Sequence, residues 1–318
     1  MGGVAHASAA MSARRKAETA RRTAAVALLA ACSLLVSCSP PRVDRPVIGA
    51  KNFTEQVVLG ELLAQEIEAK THLKVEREFY LAGSYIAQQA MLAGRIDMYV
   101  EYTGTALTAI LKQPPVRLAD AAQDKAASLA IVRKLYQQRF HITVAQPLGF
   151  ENTFAMIVRP TDPDMAKIDT LGEAVSYAAN WRLGVGYEFE SRPDGLHGLE
   201  KAYGLHFKGE PRTMDLGLLY RALASHQVDI IAGNSTDGPI AAEHLKVLAD
   251  DRHYFPPYEA VPLVRDAALK RWPQLRGVFA ALAGKVTADD MRAMNEQVDG
   301  EHKDVAVVVR AFRSAHGL

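Results

Sequence analysis

Cysteine is almost absent from this chain: two occur among 318 residues, at positions 32 and 38. Everything beyond residue 38 therefore lacks a disulfide scaffold, a zinc ribbon, an iron–sulfur centre and a cysteine nucleophile. Charge of one sign is not in excess either. Lys and Arg total 37 against 36 Asp and Glu, so no basic field exists to collect nucleic acid. Aromatic residues make up only 7%. The chain has no His-Glu-x-x-His, no Walker loop, no Gly-x-Gly-x-x-Gly and no Gly-x-Ser-x-Gly elbow. The ten histidines are scattered, with no pair at metal-ligand spacing beside a carboxylate. Ser235 and Asp237 fall in an Asn-Ser-Thr-Asp-Gly run that reads as a turn, not as part of a triad. A chain long enough for about two domains, with no nucleophile, metal set or phosphate loop, reads as a binder that uses no cofactor and catalyses nothing.

The N-terminus reads as an export signal over residues 1–38. Arg14, Arg15, Lys16, Arg21 and Arg22 form a basic stretch, and Ala24 to Val36 is an apolar run of 13 residues. A membrane span needs about 20, whereas the run suits a signal-peptide core. It ends in Leu35-Val36-Ser37-Cys38, which resembles the lipobox of bacterial lipoproteins and makes Cys38 the expected lipidation site. Loss of residues 1–37 removes five basic residues and one acidic one from totals of 37 and 36, leaving net −3 on the remaining 281. Residues 39–45, with two prolines, read as a tether. No other segment approaches spanning length, so the body is expected to be held at a membrane by lipid alone.

From residue 46 onward, strand patterns alternate with helical ones. Residues 46–50 and 73–81 read as strands, with a helix between them reaching His72, and Asn52 with Glu55 spaced as a capping box at its start. Residues 84–93 read as a helix ending at Gly94, 95–102 as containing a strand, and 104–111 and 118–139 as helices. Strands are expected at 142–144, 153–158, 182–187 and 228–231. Helices are expected at 170–180, capped by Thr170 with Glu173, and at 193–203 and 215–226; the last 55 residues read as mostly helical. This alternation predicts an α/β fold with largely parallel sheets, in which ligands bind beyond the carboxyl ends of strands. Tyr102, Phe150, Phe154 and Tyr258, with Lys51, Thr105 and Arg192, fall on such loops.

At Gly49-Ala-Lys-Asn-Phe-Thr-Glu-Gln56 and Asp97-Met-Tyr-Val-Glu-Tyr-Thr-Gly-Thr-Ala-Leu-Thr108 the chain resembles the substrate-binding proteins of osmoprotectant ABC importers. The similarity continues at Pro147-Leu-Gly-Phe-Glu-Asn-Thr-Phe154, Ser235-Thr-Asp-Gly238, Asp251-Arg-His-Tyr-Phe-Pro-Pro-Tyr258 and Ala260-Val-Pro-Leu-Val264. It implies a two-lobed periplasmic-binding-protein fold of type II whose lobes are joined by two crossover strands. Lobe one would be 46–150 plus 257–318, and lobe two 151–256. It also implies capture of glycine betaine, choline, carnitine or a related compound and delivery to an ABC permease and its ATPase subunit. The expected protein is a monomeric lipoprotein of the periplasm or cell-envelope surface.

By the same resemblance, Tyr102 and Tyr258 match cage tyrosines, and Phe154 stands where relatives often carry another tyrosine. Arg192, in Glu190-Ser-Arg-Pro-Asp-Gly195, matches a carboxylate-clamping arginine aided by Lys51 and Thr105, and Asn152 joins the set. Asn234 occupies a position that is often aromatic, so the implied cage has three rings and an amide. Ring faces suit an onium group because a quaternary nitrogen has no N–H to donate. An arginine fork suits a carboxylate because it offers two parallel charge-assisted bonds. Asn234 also leaves room for another small polar metabolite, such as a modified amino acid or a thiol betaine. An enzyme on the same architecture, or a signalling ectodomain, is the remaining alternative.

Overall fold

The computed structural model describes residues 44–114 and 121–318, so the expected signal segment, Cys38 and residues 39–43 of the tether lie outside the described residues. In chain order the strands are β1 (Val47–Lys51), β2 (Glu76–Leu81), β3 (Met98–Tyr102), β4 (Ile142–Val144), β5 (Phe154–Val158), β6 (Leu183–Val185), β7 (Arg212–Thr213), β8 (Ile230–Asn234), β9 (Lys246–Leu248) and β10 (Ala260–Arg265). They form two five-stranded sheets, ordered β2-β1-β3-β10-β4 and β7-β6-β8-β5-β9. The helices used below are α1 (Thr54–Thr71), α2 (Gly83–Leu92), α3 (Ala121–Phe140), α4 (Tyr187–Ser191), α5 (Leu196–Tyr203), α6 (Leu216–Ala224), α7 (Ala288–Asp299) and α8 (Val305–His316).

Both sheets are mixed rather than largely parallel. β1 runs parallel to β2 and β3, and β6 parallel to β7 and β8. β10 is antiparallel to β3 and β4, and β5 antiparallel to β8 and β9. The antiparallel members are the two strands that the chain reaches after passing from one sheet to the other. A strand entered that way needs no helical crossover and is free to reverse direction. The two passing segments run side by side: Glu151 bridges Glu259, the Asn152 N–H donates to Tyr258 O (3.1 Å), and the Ala260 N–H donates to Phe150 O (3.1 Å).

The central strands of each sheet are buried on both faces, as a helix-covered α/β sheet requires, while the edge strands β2 and β7 are partly exposed. On the first, Met98, Val100 and Tyr102 join Val58, Leu62, Phe279 and Val309 on one face, while Tyr99 points to Met91, Leu107, Tyr136 and Val261 on the other. This two-residue alternation sets Glu101 on the face opposite Tyr102. The second sheet is covered by one cluster around Val158, Trp181 and Leu199 and another around Ile157, Leu219 and Ile231.

Several local expectations change. α1 begins after Phe53 with no side-chain cap, so Asn52 and Glu55 do not form a capping box. The Thr170–Glu173 box does form, but its helix stops at Ala174 and the chain continues to a 3-10 turn at Ala178–Asn180. The 104–111 helix is a turn at Thr103–Thr105 running into a π-helical segment, Ala106–Ile110. α3 is described from Ala121, so the first residues expected for it fall outside the described range.

Candidate ligand-binding site

Carboxyl ends of strands from both sheets converge on one cavity of about 330 Å³. All eight residues singled out from the sequence line it: Lys51 at the end of β1, Tyr102 at the end of β3, Thr105 in the turn that follows, Asn152 and Tyr258 on the two passing segments, Phe154 at the start of β5, Arg192 just after α4, and Asn234 at the end of β8. Phe150 does not join them; it is buried in the first sheet's core. Phe53, Tyr187 and Phe189 line the cavity as well, so six rings face it instead of three. These additional rings follow strands β1 and β6, the same signal that pointed to Tyr102.

The rings are fixed through their hydroxyls and edges. The Tyr102 hydroxyl donates to Glu55 Oε1 (2.5 Å), and the Tyr258 hydroxyl donates to Asp194 Oδ2 (2.6 Å). Burial holds both phenols protonated, well above their ordinary range, and the neighbouring carboxylates add to this. Phe154 meets Phe189 edge to face with centroids 4.9 Å apart, and Tyr258 at 5.9 Å. Gly104 lets Tyr258 approach, since a Cβ there would lie 2.6 Å from the ring.

Two cations stand in the wall, and each already has a buried carboxylate. Lys51 Nζ lies 2.7 Å from Glu101 Oε1 and donates to Ser84 Oγ at 3.0 Å. It sits 4.8 Å from the Tyr102 ring centroid. Arg192 is held by Asp194 through two bonds, Nε to Oδ1 (2.9 Å) and Nη2 to Oδ2 (2.6 Å). The expected fork for a ligand carboxylate is thus turned toward Asp194. Nη1 remains, donating to Thr105 Oγ1 at 3.1 Å, while the guanidinium carbon lies 4.8 Å from the Phe154 centroid. Burial opposes the Arg192 charge, but Asp194 outweighs it and holds the group protonated above its ordinary range. Asp194 is the mirror case: burial would raise its carboxyl, and Arg192 with the donated bonds brings it below the usual value.

Glu188 reaches across from α4 to α2. Its Oε1 accepts the Ser84 N–H at 2.5 Å and its Oε2 accepts from Ser84 Oγ at 3.2 Å. Gly83, at φ +84°, gives it room; a Cβ there would lie 2.6 Å from Oε1. Burial alone would raise the Glu188 carboxyl, but the charges of Lys51 and Arg192, with the Ser84 bonds, pull it below its ordinary range.

Behind the cavity, Glu55 accepts from Tyr102, from Asn152 Nδ2 (2.9 Å), from the Thr236 hydroxyl and from Asn295 Nδ2 (3.2 Å). Burial raises its pKa against these four donors. Beyond it, Asp237 accepts from the Tyr220 hydroxyl (2.7 Å), the Asn234 N–H (2.9 Å) and Asn234 Nδ2 (3.2 Å), which commits one side of that amide to the turn.

Burial pushes Asp237 from 3.8 to about 6, against those bonds and with help from the Glu55 charge. The folded pKa exceeds the unfolded one, so this stabilising contribution is present in full below about pH 4 and lost as pH rises through about 6. Asp237→Asn should therefore lose less stability than the parent between pH 4 and pH 7, as read from urea midpoints. An equal loss in both would refute that assignment.

Among the described residues no cluster of three His, Cys, Asp or Glu side chains could hold a metal ion, and no helix is long and apolar enough to cross a membrane. Residues 46–315 match the family model described as the substrate binding domain of ABC-type glycine betaine transport system. The carnitine transport binding protein of Listeria monocytogenes is 35% identical over 294 residues, covering 90% of this chain and 93% of that one. The glycine-betaine-binding protein of Pseudomonas aeruginosa is 30% identical over 302 residues, covering 92% and 94%. A crystal structure of a glycine betaine/carnitine/choline ABC transporter superposes with a TM-score of 0.69 at 32% identity, covering 86% of this chain and 98% of that one.

Proposed function

The chain belongs to the family of substrate-binding domains of ABC-type glycine betaine transport systems, and on that premise we propose that it captures a quaternary-ammonium or zwitterionic osmoprotectant of the glycine betaine, choline and carnitine class between two lobes. It then delivers the compound to an ABC permease and its ATPase subunit. Its architecture is the two-lobed α/β fold of such binding proteins, and the family is one of transport proteins. We take 46–150 with 257–318 as lobe one and 151–256 as lobe two, each containing one sheet.

The observation that carries this reading is the ring-lined cavity between the strand ends of both sheets. A quaternary nitrogen offers no hydrogen to donate, whereas ring faces attract it by about 0.5–2 kcal/mol each. Tyr102 and Tyr258 have their hydroxyls tied back to Glu55 and Asp194, so their faces are set before a ligand arrives. Thr105, Asn152 and Asn234 supply polar wall, and Lys51 and Arg192, each paired with a buried carboxylate, complete it. Contacts from both lobes to one ligand favour the closed arrangement, which a permease can distinguish from the open one. Cys38, lipidated after export, would hold the body at the outer side of a membrane in the periplasm or at the cell-envelope surface, as a monomer. Captured ligand leaves unaltered.

Calorimetry and thermal unfolding with choline, glycine betaine and carnitine test the proposal. At a free concentration 100-fold above Kd, a ligand bound only by the folded state adds about 2.7 kcal/mol of stability and raises the unfolding midpoint. The compound should be recovered mole for mole and chemically unchanged. No midpoint shift with any of the three would overturn the reading, and chemical turnover would overturn its non-catalytic part.

A further inference from the structure

Resting on that quaternary-ammonium reading, we infer that the site prefers a ligand of net positive charge to a zwitterion with the same onium head, and that the Glu188 carboxylate is the specificity-determining counter-charge. The charges of the cavity wall carry this. Lys51 and Arg192 are the cations lining it. Glu101 lies 2.7 Å from the first and Asp194 lies 2.6 Å from the second, both carboxylates being buried. Two further carboxylates, Glu188 and Asp215, line the same cavity. The wall with its ion-pair partners thus sets four negative charges against two positive ones.

A ligand carboxylate entering there meets cations that have dedicated partners and a surplus of its own sign. An onium ion without a carboxylate meets the opposite field. Glu188 is also rigidly placed, because Ser84 donates its N–H to Oε1 and its hydroxyl to Oε2. Its side chain remains 41% exposed, it lines the cavity, and Oε2 stands 3.5 Å from Arg192 Nη1. In that position it can accept the hydroxyl of a hydroxyalkyl onium compound as well as offset its charge. The two roles open to Glu188 separate cleanly: a mere clasp between α4 and α2 serves every ligand alike, whereas a counter-charge discriminates by ligand charge.

Choline and glycine betaine, which share a trimethylammonium head, are the probes for calorimetry on the parent protein, Glu188→Gln and Asp215→Asn. The parent should bind choline at least tenfold tighter than glycine betaine. Glu188→Gln keeps an acceptor for the Ser84 N–H and should weaken choline at least tenfold, leaving glycine betaine unchanged or tighter. Asp215, exposed at the start of α6, should narrow the preference severalfold when neutralised. Thermal unfolding of each variant confirms that it is folded. Equal or tighter binding of glycine betaine by the parent, or equal weakening of both compounds in Glu188→Gln, would overturn the inference while leaving the transport reading intact. Binding of neither probe nor of carnitine by the parent would overturn both.

Discussion

Asp194→Ala should abolish binding, by 100-fold or more in Kd, and lower the unfolding free energy by about 3–5 kcal/mol, the usual cost of leaving one member of a buried ion pair alone. The residue is the shared acceptor of the site. It takes two bonds from Arg192, the Tyr258 hydroxyl at 2.6 Å and the Thr108 hydroxyl at 2.8 Å. Its loss strands a buried guanidinium beside the Phe154 face and frees the Tyr258 ring, so wall geometry and stability fail together. A shift of this size in a body of this length lowers the unfolding midpoint by about 10 °C. The Asp194 carboxyl is held below its ordinary range in the fold. Its contribution is therefore present above the unfolded value and lost as pH falls through the folded one, so the gap between parent and variant should close in acid. The double variant Asp194→Leu with Arg192→Met should recover most of the stability and none of the binding, because apolar replacement of both partners removes the stranded charge. Calorimetry showing near-parental affinity in Asp194→Ala would contradict the arrangement.

The second large effect is expected at Glu55. Glu55→Ala leaves buried donors from Tyr102, Asn152, Thr236 and Asn295 without their acceptor. At about 1–3 kcal/mol for each group left unsatisfied, partly relieved by rearrangement, the net loss should be about 4 kcal/mol in denaturant unfolding. Binding should weaken at least tenfold, because Tyr102 and Asn152 both line the cavity. Burial raises the Glu55 pKa, so its contribution is greatest below the unfolded value and declines as pH rises through the folded one. The penalty of Glu55→Ala should accordingly be larger at pH 4 than at pH 8. A penalty that grows with pH would show that the carboxylate form is the one the fold prefers.

Glu55 also shows where sequence reasoning stops. Asn52-x-x-Glu55 has the spacing of a helix cap, and a local rule can see only that. The four groups that claim the carboxylate come from residues 102, 152, 236 and 295, and their convergence is a property of the tertiary fold. The Asp194 clasp on Arg192 was hidden for a related reason: Pro193 and Asp194 read as the first residues of the 193–203 helix, which starts only at Leu196, and nothing local says that the carboxylate folds back on the fork. Strand β10 was obscured by Pro262, a poor central-strand residue. Its carbonyl accepts from the Ala145 N–H, just past the end of β4, so the missing donor falls where the neighbouring ladder has already finished. By contrast, the rings at the end of β3 and the start of β5 were legible. Strand periodicity marked the loops, the resemblance marked the residues, and the cavity contains all eight of them.

The antiparallel bridge between Glu151 and Glu259 has a mechanical consequence. Two straps lying side by side and bonded to each other resist torsion far more than flexing. On the proposed two-lobed closure, that pairing would steer one lobe against the other along a single arc, like a strap hinge with two leaves. Each return along that arc would bring Glu188 back to Ser84 and Arg192 back to Thr105, the two contacts that join residues on either side of the paired segments.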